Sequence, residues 1–537
     1  MARLMRASPC YLPLWMGLCF LLPITMKIWR TEWTPNIFYF PSSMVPATSS
    51  PSPVTSPSPQ AHEVRALKDL VTWPEPQGIL NLESSTSPFN CDCHILHPKA
   101  NYSVGESLEV VLTTKDHRNR PKMYGGDFFR AKLHSPKLKA GVRGLVTDHQ
   151  NGTYTVSFLL PWPGDVEISI RLFHSSEAVQ VMRRARDTRP DKVYFSGLFQ
   201  RNGTEEKTEC NLEIPDKQVC VYGDERIEET WVCVRPRNLP CDSLVYHSVG
   251  GYRKVTNATE EKLIAGELTD KELPIKIPPV HVITSISSLD TKKLPACAPE
   301  RLVPQPSGYY YNDIWTTLAC SHKTFPTPDQ ASACLKGKII FMFGDSTLRQ
   351  WWEYLLDFIP SLKQINLHVG YKSGPLLAVD PSSGLMLQWR GHGNPLRTEK
   401  TMMADLHYMA NDIANIGGGP DVVIVFTIWA HFTTYPVEVY IRRVRNIRRA
   451  ITGLFQRSPK TTVILKTANT GSTSVYGSDW LSLQLDIMLR KMFSELPVAI
   501  VDAWDMTSCH YLKEEIHPGK PIIQNEVDMF LSFICPL

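Results

Sequence analysis

The sequence predicts a multidomain chain with a β-sandwich in its first half and an α/β domain with a parallel sheet in its second. Three observations carry this. Tyr154, Val156, Phe158 and Leu160, then Val166, Ile168, Ile170 and Leu172, alternate with polar residues at the period of a half-buried strand. Beyond Pro304 four short apolar runs appear, at Ile339–Phe343, Val422–Phe426, Thr462–Leu465 and Val498–Val501, and helical patterns separate the last three. The first run ends at Gly344-Asp345-Ser346 and passes into helical spacing at Leu348, Trp352, Leu355 and Ile359. At 537 residues the chain has room for two or three cores, and its net charge of +4 excludes bulk attraction to nucleic acid.

Taken in order, the chain opens with a targeting segment. Arg3 and Arg6 precede a mostly apolar run from Cys10 to Met26, the pattern of a secretory signal peptide or a signal-anchor. The run is near the low end of what spans a bilayer. Lys27 and Arg30 follow at once, without a small-x-small pair, which leans toward an uncleaved anchor. A membrane is then engaged only through this segment. Residues 41–60 hold six Pro, seven Ser and two Thr. Such a tract cannot bury enough apolar surface to fold and reads as an O-glycosylated stalk.

Four N-x-S/T sequons, at Asn101, Asn151, Asn202 and Asn257, support passage through the secretory pathway. Eleven cysteines lie beyond the apolar segment, and in an oxidising lumen most should pair, with one left over. Cys91 and Cys93 read as members of disulfides whose connectivity the sequence does not give; no Cys/His spacing supports a metal site. The alternating runs around Pro161-Trp162-Pro163-Gly164-Asp165 read as an antiparallel pair. Residues 190–300, with five cysteines, read as an irregular, disulfide-stapled extension.

Strand, tight turn with a serine, then helix leaves the Ser346 hydroxyl at the C-terminal edge of a sheet beside a helix N-terminus. Ser346 there is either a nucleophile or an ordinary cap. His517, in Glu514-Glu515-Ile516-His517-Pro518 before a terminal helix over 522–534, is the candidate base. Glu514 is the candidate acid that orients its Nδ1; Asp502 and Asp505 are alternatives. An oxyanion needs donors beyond the Ser346 N–H, and Gly391, Gly393 and His431 are the candidates. Arg442, Arg443, Arg445, Arg448 and Arg449 form a basic helix face, either simply solvated or attracting an acidic glycan.

The motifs Ser307-Gly308-Tyr309-Tyr310-Tyr311, Gly344-Asp345-Ser346-Thr347-Leu348-Arg349-Gln350, Asp502-Ala503-Trp504-Asp505-Met506-Thr507 and Phe533-Ile534-Cys535 resemble the neurexophilin and PC-esterase domain family. Asp148-His149-Gln150-Asn151-Gly152-Thr153-Tyr154 resembles the closing strands of filamin-type immunoglobulin-like repeats. The N-terminal patterns give a targeting segment at 1–30 and a stalk at 31–64, and the resemblance implies a neurexophilin-like domain with an immunoglobulin-like sandwich at 65–300 and an SGNH/GDSL-like domain at 301–537. It implies Ser346 as nucleophile, with Asp345 beside it, His517 as base, and Arg349 and Trp429 as substrate contacts. It implies a glycan or glycoprotein substrate, no bound cofactor, and a cell-surface receptor for the first half; the acyl donor stays open, with acetyl-CoA one choice that no nucleotide-binding loop in the sequence supports. Two departures stand out: Glu514 replaces an Asp, and Trp429 occupies a position where the family has Gly.

Overall fold

In a computed structural model, residues 59–215, 217–284, 294–299 and 302–536 are described. The expected targeting segment and most of the expected stalk lie outside these residues. The stalk range ends inside a helix, Pro59–Leu70, whose Leu67 is buried against the second half of the chain and whose Glu63 pairs with Arg445 and Arg448.

The first half is sheet-rich and its sheets curl. Strands Ser107–Thr113, Thr153–Leu159, Ala140–Asp148, Phe128–Ser135 and Gly164–His174 lie side by side in that order, all antiparallel. Tyr154, Val156 and Phe158 are at most 1 % exposed while their neighbours are half-buried, as alternation requires. The two alternating runs do not pair with each other, contrary to expectation. Leu160 and Trp162 are buried, and the two prolines flanking Trp162 have no N–H for a ladder. The connection therefore carries the chain from one part of the curled sheet to another.

Residues 193–252 are regular rather than irregular. They form five antiparallel strands, with Cys210–Cys233 bridging neighbouring strands and Cys220–Cys241 closing the edge. Strand Thr204–Asn211 (TEEKTECN) is polar over most of its length, so periodicity hid it. Two further disulfides, Cys297–Cys320 and Cys334–Cys535, leave Cys91, Cys93 and Cys509 free among the described residues, three where the odd count predicts one, so the disulfides expected of Cys91 and Cys93 are not formed.

The second half holds a seven-stranded mixed sheet. Strands Leu385–Gly391, Ile339–Gly344, Val422–Phe426, Thr462–Lys466 and Ala499–Val501 are parallel in that spatial order. Leu376–Asp380 and Lys363–Ile365 extend one edge antiparallel, which corrects the all-parallel expectation. Counted along the chain, the parallel strands run 2-1-3-4-5. That order reverses direction beside strand Ile339–Gly344, and in open α/β sheets ligands sit beyond the strand ends at this switch point.

The continuous apolar runs follow from burial on both faces. Ile340, Met342, Val423 and Val425 pack toward helices Ser346–Phe358 and Lys520–Ile534. Ile424 and Phe426 pack toward helices Val437–Arg457 and Asp479–Phe493. Each fully buried side chain of this kind contributes about 1.5–3 kcal/mol.

The halves interlock. Strand Gly308–Tyr311 pairs with Ala140–Asp148, and Thr401–Met402 pairs with Leu244–Tyr252. Most of the basic face of helix Val437–Arg457 is covered, although Arg449 remains exposed. Arg443 is buried against Glu229, and Arg445 and Arg448 lie under helix Pro59–Leu70.

Candidate active site

Ser346 is the first residue of helix Ser346–Phe358, directly after strand Ile339–Gly344. Asp345 caps the helix: its buried carboxylate accepts from Thr347 N at 2.9 Å and Thr347 Oγ1 at 2.7 Å. It also accepts from Ala430 N at 3.4 Å, latching the end of the neighbouring parallel strand onto the turn. Gly344 permits this approach, since a Cβ there would lie 2.7 Å from Thr427 Cγ2. Ser346 N–H, at the first helical position, has no intrahelical acceptor and faces the positive end of the helix dipole.

Ser346 Oγ lies 2.7 Å from His517 Nε2. His517 comes from the loop between helices Ala503–Ser508 and Lys520–Ile534. Asn469 Nδ2 donates to Ile516 O at 3.0 Å and Gln350 Nε2 donates to Pro518 O at 3.3 Å, so the loop is held on both sides of the histidine. Gly471, at φ +117°, packs against the Glu515 backbone, where a Cβ would collide at 2.7 Å. Burial pulls the His517 imidazole below the ordinary histidine value, against the attraction of Asp345. A neutral imidazole with its Nε2 lone pair on a serine hydroxyl can accept that proton.

Glu514 does not orient His517. Its carboxylate is paired with Arg130, from strand Phe128–Ser135, and accepts from Thr470 Oγ1 at 2.9 Å. Arg130 also holds Asp479 at 2.5 Å, and Lys132 Nζ donates to His510 O at 2.6 Å. Strand Phe128–Ser135, in the first half of the chain, thus grips the histidine loop. Among the described residues no carboxylate bonds to His517 Nδ1. Asp502 and Asp505 are engaged elsewhere. Asp502 accepts from Arg490 at 2.6 Å and 3.0 Å, and Asp505 accepts from Arg143 at 2.7 Å and Ser307 N at 2.8 Å.

The oxyanion candidates divide. Gly391 N–H donates to Ser373 O at 3.1 Å, so strand-end hydrogen bonding occupies it. Gly393 sits in a turn at φ +94°, where a Cβ would meet His407 O at 2.7 Å. His431 Nδ1 lies 3.0 Å from His392 Nε2. Burial, against Asp345, pulls His431 down to about 4, so it is neutral at pH 7. Arg349, three residues after Ser346, donates to Glu353 at 2.9 Å and lies over the Trp389 ring at 5.4 Å. Trp429 is 2 % exposed within the core, and its indole lines a pocket beside the site. A groove of about 1020 Å³ runs between the His517 loop and strand residues such as Lys132 and Arg171.

Residues 315–535 match the model described as NXPE family member 4-like, C-terminal domain, and residues 71–263 match neurexophilin. The chain belongs to the neurexophilin and PC-esterase domain family. In this family member Arg130, Asn469 and Thr470, which support the histidine loop, were not among the sequence candidates. Arg130 lies in the other half of the chain, where no local pattern points to the loop.

Proposed function

We propose that the chain is a serine-dependent acyl-ester enzyme of the secretory pathway, acting as an O-acetyltransferase or acetylesterase on glycans such as sialylated mucin chains. The observation that carries this reading is the 2.7 Å contact between Ser346 Oγ and His517 Nε2, placed at a switch point of the parallel sheet and at a helix N-terminus. His517 accepts the serine proton as Oγ bonds to the acyl carbon. The Ser346 N–H faces the oxyanion that develops. The leaving oxygen of an ester, or the leaving sulfur of a thioester, departs with the proton from His517; His517 then takes the proton of a sugar hydroxyl or of water as that oxygen bonds to the acyl carbon, and returns it to Ser346 Oγ as the acyl–serine bond breaks. Acetyl-CoA is one donor class for the transfer branch.

The finer fold reading, an immunoglobulin-like sandwich ahead of an SGNH-like domain, is supported by the antiparallel strands of the first half and the 2-1-3-4-5 order of the second. Four disulfides and the exposed positions of Asn101, Asn151, Asn202 and Asn257 support a lumenal or secreted location, either free or held by an anchor. Among the described residues no helix is long and apolar enough to cross a membrane.

A second reading is a catalytically inactive glycoprotein that binds a receptor through its neurexophilin-like half. The capture of Glu514 by Arg130, away from His517, favours it. A fluorophosphonate probe decides between them. Wild type should label and Ser346→Ala should not. Equal labelling of the two removes the nucleophile.

A further inference from the structure

A second pocket, of about 340 Å³, lies beside the Ser346 site and is not used by the acyl chemistry. Ala430 and Ile516 form part of its wall, and they directly precede His431 and His517. Tyr252 and Tyr476 form another part, their rings meeting edge-on at 4.9 Å. Arg397 lies in the same lining.

Among the described residues Arg397 has only neutral acceptors. Its Nη1 donates to Tyr476 O at 2.9 Å, and its Nη2 donates to Thr434 Oγ1 at 3.1 Å and to Thr433 Oγ1 at 3.4 Å. Its Nε is enclosed and without an acceptor. A guanidinium has five N–H donors, so Nε–H and one hydrogen of Nη1 remain. Among the described residues no carboxylate pairs with Arg397, whereas Arg443 holds one and Arg130 and Arg490 each hold two. Lys192, fully buried, also donates to Thr434, through its carbonyl at 2.7 Å, and burial, with Arg397 nearby, pulls its ammonium down to about 7, so Arg397 carries the fixed charge of this region. Buried charges are ordinarily paired within the protein. Here the charge faces a pocket that adjoins the reaction centre.

We propose that Arg397 is an anion subsite of this centre, receiving a carboxylate, sulfate or phosphate that the substrate carries near its reacting group. The proposal rests on the Ser346 reading for its place in the reaction, but not for binding itself. The aromatic and apolar walls suit a ring body attached to the anion. Two sources share this chemistry: an acidic sugar that accepts the acyl group, and a phosphorylated acyl donor.

Calorimetric titration of the full chain separates them with two probe pairs. One is N-acetylneuraminic acid against its methyl ester; the other is coenzyme A against pantetheine. The anionic member of at least one pair should bind about tenfold or more tighter than its neutral partner. Ser346→Ala should bind it unchanged, so a failed nucleophile and a failed subsite give different results. Arg397→Gln should lose the preference. Ser474→Trp, at an exposed position of the rim, should block the pocket while leaving the three Arg397 hydrogen bonds in place. A sugar-acid preference assigns the anion to the acceptor; a coenzyme A preference assigns it to the donor. The proposal is overturned if neither anion binds, if each binds no better than its neutral partner, or if both pocket variants bind as wild type does.

Discussion

At Ser346 the chemistry depends on a proton. His517 must be neutral to accept it, and burial holds its pKa below the ordinary value of about 6.5. The labelling rate should therefore be full above pH 6.5 and fall as pH drops through the lower, folded-state value. A carboxylate on Nδ1 would raise that midpoint, and Glu514 lies instead on Arg130. Glu514→Gln should accordingly leave the midpoint of the rate-against-pH curve unmoved; a downward shift would restore Glu514 as the orienting acid. Trp429 makes a different contribution. It is 2 % exposed and packs in the core beside the sheet. Trp429→Ala should cost about 3–5 kcal/mol, read from urea unfolding, because it empties a packed site.

Strand Phe128–Ser135 and the histidine loop act as one element pair. Arg130, 9 % exposed, holds both Asp479 and Glu514. Replacing it with Met leaves two enclosed carboxylates without their cation, a loss of about 3–5 kcal/mol. Glu514→Gln keeps Arg130 paired with Asp479 and should cost less, about 1–2 kcal/mol. The ratio is measurable by denaturant midpoints. Labelling of folded Arg130→Met by the fluorophosphonate should also slow, since the loop that presents His517 loses its grip. An unchanged rate would show that Asn469 and Gln350 suffice to hold the loop.

Across the whole molecule, acid stability follows from histidines enclosed without charge. Burial, the largest cause in each, draws His247, His431 and His510 down to about 4 and His174 to about 3. Unfolded, each titrates near 6.5, so between these values the unfolded chain binds more protons. The stability they contribute is complete above pH 6.5 and is lost as pH falls toward 4. Thermal midpoints should drop over that window, and His247→Gln should flatten the slope. His174 and His247 each have both ring nitrogens enclosed, which makes them simpler to replace than His431, whose Nδ1 meets His392, or His510, whose Nδ1 accepts from Leu512 N.

Much of this molecule was legible as pattern. The strand, turn and helix around Ser346 were legible because buried strands and amphipathic helices each impose a local period. The spacing of Val437, Tyr440, Val444, Ile447, Ile451 and Leu454 places them on one helix face, and all are buried. Strand Thr204–Asn211 was not legible, because its outward face is charged and its support comes from neighbours and a disulfide. Nor was the pairing of the two alternating runs, since period reports which face is buried and not which strand lies alongside. The sequence by itself determined the serine at a helix N-terminus and a histidine near the last helix. Only the tertiary structure decided that the two meet, that Glu514 turns to Arg130, and that Arg397 meets no carboxylate among the described residues. Those outcomes depend on which buried charges the two halves of the chain bring within hydrogen-bond reach, and no local spacing encodes that.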